Sequence, residues 1–120
     1  MTQRSEDPAT ADEVRTIVHN TQDRFYELRV DGTFAGLLVY GLAGNRFVFT
    51  HTYIAEGYRG RGLSSVLLRG ALDDIRAQQG TITNFCPVLD RFIDRNPEYV
   101  ALIDTANPGS WPKHHNRPVS

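Results

Sequence analysis

An α+β fold with mixed α/β character is what this chain predicts: a mixed sheet of antiparallel strands, then a βαβ crossover and a C-terminal helix. Three observations carry that expectation. Before residue 55 the apolar residues fall in runs rich in aromatic and β-branched side chains. After Gly62 they recur at three- and four-residue steps, and at residues 81–86 (TITNFC) a short strand-like run returns. The length of 120 residues lies below the roughly 150 of a typical domain, so one domain over residues 14–104 is expected. A disordered leader at residues 1–13 and a flexible tail at residues 105–120 complete the expected organisation.

The elements follow in order. Residues 14–20 form the first strand, and residues 25–30 (FYELRV) and 33–40 (TFAGLLVY) flank Asp31-Gly32, a pair at ease with the positive φ of a two-residue type I′ hairpin turn. Residues 41–45 break the chain again before residues 46–54 (RFVFTHTYI), so the first half reads as an antiparallel meander. Over residues 62–79, Leu63, Val66, Leu67, Ala71 and Ile75 share one face of an amphipathic helix that Gly80 closes. A packed helix between residues 46–54 and 81–86 makes those two strands parallel. Pro87 suits the first turn of a second helix, which buries Val88, Leu89, Phe92 and Ile93 and is interrupted at Asn96-Pro97.

Charge and composition exclude several classes of partner. With 13 Lys+Arg against 14 Asp+Glu the net charge is −1, so no bulk positive field exists for a nucleic-acid duplex or an anionic membrane. No apolar run approaches the ~18 residues that cross a bilayer. The single cysteine, Cys86, has no internal disulfide partner, and no charged start followed by an apolar run marks a signal peptide, so a cytoplasmic location is expected.

The most informative stretch is residues 58–65 (YRGRGLSS), between a predicted strand and the amphipathic helix. A helix start leaves backbone N–H groups unpaired with a partial positive charge, and glycines let a bulky anion approach the main chain. Arg59 and Arg61 add full charges able to grip phosphate oxygens bidentately; an exposed turn with two solvated arginines is the alternative. A P-loop requires Lys then Ser or Thr after its last glycine, where Leu63-Ser64 stands. A dinucleotide fingerprint would need a third glycine at Ser65 and a carboxylate ending the next strand.

Arg59-Gly60-Arg61-Gly62-Leu63-Ser64 resembles instead the [Q/R]-x-x-G-x-[G/A] signature of the GNAT N-acetyltransferase superfamily. The resemblance runs from about Thr16 to about Asp104. It is strongest to the small single-domain YjdJ-type branch, on Phe49-Thr50-His51-Thr52, Cys86-Pro87 and Pro97-Glu98-Tyr99. Ser64, where Gly or Ala is usual, and Asn96, where related chains carry His, depart from the pattern. The resemblance implies a GNAT-like sheet splayed by a bulge in the strand before the loop, with acetyl-coenzyme A as cofactor. It implies further that the backbone of Arg59, Gly60, Arg61, Gly62, Leu63 and Ser64 holds the pyrophosphate, and that Tyr53 and Ile54 face the pantetheine arm. Ligands of α/β crossovers also collect beyond the carboxyl ends of parallel strands, where Ile54 and Cys86 stand.

Acetyl transfer needs a free amine, a donor for the developing oxyanion and an outlet for a proton. Similar transferases carry a carboxylate on the strand before the loop, but residues 46–54 contain none, which makes His51 the substitute base; pairing within the sheet is the alternative. Cys86, before Pro87 at the expected start of the second helix, is either a nucleophile that carries the acetyl group or a small apolar pocket residue. Tyr99 is the candidate for protonating the departing thiolate, as a late tyrosine does in similar transferases, with core packing as the alternative. Asp73, Asp74, Asp90 and Asp94 read as solvated helix faces, and Trp111 as a packing or neighbour contact. His114-His115 lack metal-site spacing, and no metal is expected.

The expected function is acetyl-coenzyme A-dependent transfer of acetyl to a primary amine of a small molecule or protein, by a monomer or weak homodimer. An acyl-coenzyme A binding or sensing module with little catalysis is the alternative, and a protein-interaction domain without cofactor a third reading.

Overall fold

The computed structural model describes residues 13–110. Strands β1 (Arg15–Asn20), β2 (Phe25–Val30), β3 (Thr33–Ala43), β4 (Arg46–Ile54) and β5 (Thr81–Asn84) lie side by side in chain order. The first four are antiparallel, and β5 runs parallel to β4 after the crossover helix α1 (Leu63–Ala77). Helix α2 (Pro87–Arg95) and a 3₁₀ segment (Pro97–Leu102) follow. This is the mixed sheet and helix order expected from periodicity. Asp31 and Gly32 have φ of 53° and 83°, the doubly left-handed geometry of a type I′ turn.

Both helices share one core with a single face of the sheet. Tyr26, Leu28, Leu38, Tyr40, Phe47 and Phe49 are buried there with Leu67, Leu68, Leu72 and Ile75 of α1 and Leu89, Phe92 and Ile93 of α2. On the opposite face the register aligns Phe25 with Val39, Val39 with His51, and Leu37 with Tyr53. These side chains are exposed or half-buried, so the sheet is covered by helices on one side only among the described residues.

Four boundaries and placements differ from the sequence reading, each through a long-range contact. β3 continues through Gly41 to Ala43 because β4 pairs with it that far. β5 stops at Asn84, where its ladder with β4 ends at Phe49. Beyond Asp104, residues 107–110 line β5: Thr83 Oγ1 donates to the Asn107 carbonyl, the Asn84 N–H to the Pro108 carbonyl at 3.1 Å, and the Ser110 N–H to the Asn84 carbonyl at 2.7 Å. The aspartates are not simply solvated. Asp74 accepts from Tyr26 Oη at 2.7 Å and lies 3.2 Å from His19 Nδ1, whose Nε2 is 2.6 Å from Tyr40 Oη; Asp90 is buried. Burial first, then the Asp74 hydrogen bond, pushes the Tyr26 phenol far above its ordinary range, so this cluster stays protonated on the tyrosine. Residues 1–12, Trp111, His114 and His115 lie outside the described residues.

Candidate active site

The site begins where the sheet comes apart. Tyr40 pairs with Phe49 and Val39 with His51, so Thr50 is an extra residue in β4. Such a bulge bends its strand and increases local twist. β4 and β5 share four rungs, from Arg46 opposite Thr81 to Phe49 opposite Asn84. A last link, Phe85 N–H to the Phe49 carbonyl at 2.8 Å, closes the joined part. Past it, residues 50–54 have no strand partner on the β5 side among the described residues. Because Ala55 N–H donates to the Ala35 carbonyl at 2.8 Å, alternation turns the main-chain groups of Thr52 and Ile54 toward this open edge.

The bulge also decides which side chains face which way. Strict alternation from the buried Phe49 would turn His51 and Tyr53 toward the helices. The extra residue reverses this: Thr52, paired with the buried Leu38, faces the helices, and His51 and Tyr53 face the open side. Tyr53 stacks near Phe34 at 6.3 Å between ring centroids and lies under the Arg59 guanidinium at 5.6 Å, while Ile54 packs against the core.

The open edge leads to the start of α1. Gly60 and Gly62 have φ of 80° and 73°, and a Cβ on either would meet nothing within 4 Å. Conformation, not crowding within the fold, is what calls for glycine there. The cap residue Gly62 supplies no side-chain bond, so the first N–H groups of this 15-residue helix, beginning with Leu63 and Ser64, are left for an anion. Arg59 is tied by its Nε to the Ile54 carbonyl at 2.8 Å. Arg61 is held by the Glu13 carboxylate, a partner 48 residues away whose side chain is mostly covered. The residues present therefore fit a diphosphate: backbone donors, two guanidiniums and open space above two left-handed glycines.

Glu13 competes for the cation that an anionic ligand would use. Glu13→Gln is expected to tighten coenzyme A binding by up to about fivefold at low salt, since a partly exposed ion pair contributes about 0.2–1 kcal/mol, and to lose that advantage at high salt. Titration calorimetry at two ionic strengths checks it; weaker binding in the variant would show that Glu13 supports the loop instead.

At the split, Cys86 stands at the cap of α2 with Pro87 at the first helical position. Its thiol is buried, and Sγ lies 3.2 Å from Thr52 Oγ1, so a side chain of β4 meets one from the start of α2 across the gap. Its N–H donates to Asn84 Oδ1 at 2.8 Å. His51 is exposed on the other face of the sheet, and no contact joins it to Cys86 among the described residues; the two do not form a Cys-His pair.

Tyr99 is buried and its hydroxyl donates to Asp73 Oδ1 at 2.7 Å, while Arg69 donates to the hydroxyl oxygen at 3.3 Å. Burial, then Asp73, pushes its acidity down, so the phenol keeps its proton at neutral pH. The contacts tie Tyr99 to α1 rather than to Cys86. Asp73 and Arg69 also line a groove of about 360 Å³ with Ile17, Ser65, Val66 and Gly70. Asn84, between the strands and fully buried, is a residue that sequence reasoning missed. A lone amide side chain in an otherwise strand-like run was its only signal.

A bulged strand, a parallel neighbour that leaves it and an uncapped helix start with two arginines define an α+β domain with a candidate anion-binding cleft. Residues 25–102 match the family model described as GCN5-related N-acetyl-transferase. The chain is also similar to Protein NATD1 of Mus musculus and of Bos taurus, each 29% identical over 83 residues, which are 68% of this chain and 76% and 74% of those proteins. Protein NATD1 of Gallus gallus is 28% identical over the same length. The chain belongs to the GCN5-related N-acetyl-transferase family.

Proposed function

We propose that this acetyltransferase-family domain transfers acetyl from acetyl-coenzyme A to a primary amine of a small molecule or a protein. The observation that carries the reading is the open edge of β4, at Thr52 and the Ile54 N–H, followed along the chain by the uncapped N-terminus of α1 with Arg59 and Arg61 before it. Bound there, the thioester would supply an activated acetyl group. Backbone N–H groups after Gly62 would bind the diphosphate, and the β4 edge would receive the pantetheine amides as a strand would. His51, exposed on the uncovered face, would take a proton from an amine approaching from that side. Cys86, on the helix side, would accept acetyl if transfer runs in two steps. The small YjdJ-type branch is the proposed place within the family, on the motifs around Phe49, Cys86 and Tyr99.

A specific observation keeps a second reading alive. β4 offers no carboxylate, and its one histidine lies on the face away from the thiol, which suits an acyl-coenzyme A binding module. The test is incubation with acetyl-coenzyme A and a panel of primary amines, scored for thiol release and for acetyl on Cys86. Amine-dependent release supports transfer; binding without release across the panel supports the module; neither binding nor release overturns both.

A further inference from the structure

We infer that the side-chain amide of Asn84 donates a hydrogen bond to the acyl carbonyl oxygen at the split between β4 and β5, an inference that rests on the acyl-coenzyme A reading above. Asn84 ends β5 on the last rung shared with β4, opposite Phe49. It is completely buried. Its Oδ1 accepts the Cys86 N–H at 2.8 Å, and this bond fixes which end of the amide carries nitrogen. Its own N–H and carbonyl are taken by Pro108 and Ser110. Nδ2 alone has no partner, and it is the one buried side-chain nitrogen or oxygen without one among the described residues.

A buried donor left unpaired is costly and calls for an explanation at the place where it sits. An amide N–H2 cannot ligate a cation, so what completes it must be a hydrogen-bond acceptor. Among the described residues none is offered. Cys86, whose N–H is bonded to Asn84 Oδ1, has its thiol against Thr52, and the open edge of β4 begins one residue past the rung. From Phe49 to Ile54, five residues of strand span about 16 Å. An elongated ligand that follows that edge from a diphosphate at the start of α1 would bring its far end to the rung of Phe49 and Asn84. In an acyl thioester that end is a carbonyl.

The chemistry asks for such a donor. When an amine nitrogen bonds to the acyl carbon, the C=O electron pair moves to oxygen; it returns as the C–S bond breaks, and the sulfur leaves with the pair and takes the proton the amine sheds. Asn84 forms and breaks no covalent bond. It holds the oxygen while it is negative, in a site from which water is excluded, where a preset donor is most effective. The same contact serves a two-step route in which Cys86 attacks first.

Uniformly ¹⁵N-labelled protein tests this without an amine acceptor. The Asn84 side-chain N–H2 pair is assigned by its loss in Asn84→Asp, which keeps an acceptor for the Cys86 N–H and removes the donor. Coenzyme A and acetyl-coenzyme A should both move the amides of residues 59–64, and only acetyl-coenzyme A should move the Asn84 pair. The carbonyl stretch of ¹³C-acetyl-coenzyme A should fall on binding to the unsubstituted protein and return toward its free value in Asn84→Asp. Turnover in that variant should drop about 100-fold with acetyl-coenzyme A affinity within about threefold. An Asn84 pair that responds equally to both ligands, with an unmoved carbonyl stretch, overturns the assignment and leaves Asn84 as a turn residue. If neither ligand moves the loop amides, the coenzyme reading itself falls. Should Asn84→Asp not fold, the comparison of the two ligands on the unsubstituted protein decides alone, with the pair then assigned through its own backbone.

Discussion

Phe49→Ala is expected to lower the melting temperature by at least about 12 °C. Phe49 is fully buried, faces Tyr40 and Phe47, and carries the carbonyl to which Phe85 N–H makes the last link between β4 and β5. Removing a buried aromatic ring costs about 3–5 kcal/mol through lost transfer energy and the cavity left behind. At roughly 4–8 °C per kcal/mol for a domain of this size, the shift follows. Calorimetric melting of the two proteins checks it. A drop below about 4 °C would mean that the joint where the sheet parts is not packed as described. The consequence for function is indirect: the ring fixes where pairing stops, and so where the open edge begins.

Gly62→Val is expected to weaken coenzyme A binding at least tenfold while changing the melting temperature little by comparison. At φ of 73° an L-residue carries about 1–2 kcal/mol of strain, and a β-branched one more, whereas a side chain meets no neighbour there. The loop relieves that strain by turning N–H groups away from the anion, and each 1.4 kcal/mol is a factor of about ten. Gly62→Asn separates conformation from bulk, because asparagine tolerates the left-handed region. Its loss should be clearly smaller than that of valine in the same titration. Equal losses would place the cause in side-chain bulk against the ligand.

What the sequence revealed divides along local and distant causes. The Asp31-Gly32 turn, the amphipathic α1, the proline at the first position of α2 and the glycine-rich loop are each set by a few adjacent residues, and each was legible. The parallel pairing of β4 and β5 followed from the crossover rule. The inward and outward order of residues 50–54 was not legible, since Phe47, Phe49, His51 and Tyr53 look like one continuous alternation. Only the pairing with β3 reveals that Thr50 is extra. Asp73 and Asp74 read as solvated on a helix drawn alone. Tyr99 and Tyr26 reach them from elements 26 and 48 residues away. Asn84 escaped notice for the same reason, because residues 107–110 return to cover its strand.

Thr50 has an unusual standing as a consequence. Losing a residue from a strand normally turns its remainder inside out. Here excision of Thr50 would do the reverse: Phe49 and His51 would become ordinary neighbours, each still on its present side, and the ladder with β3 would run without interruption. Such a shortened chain should be the more regular protein and the poorer receptacle. Mending the irregularity and keeping the crevice are thus incompatible, and one threonine's worth of backbone holds them apart.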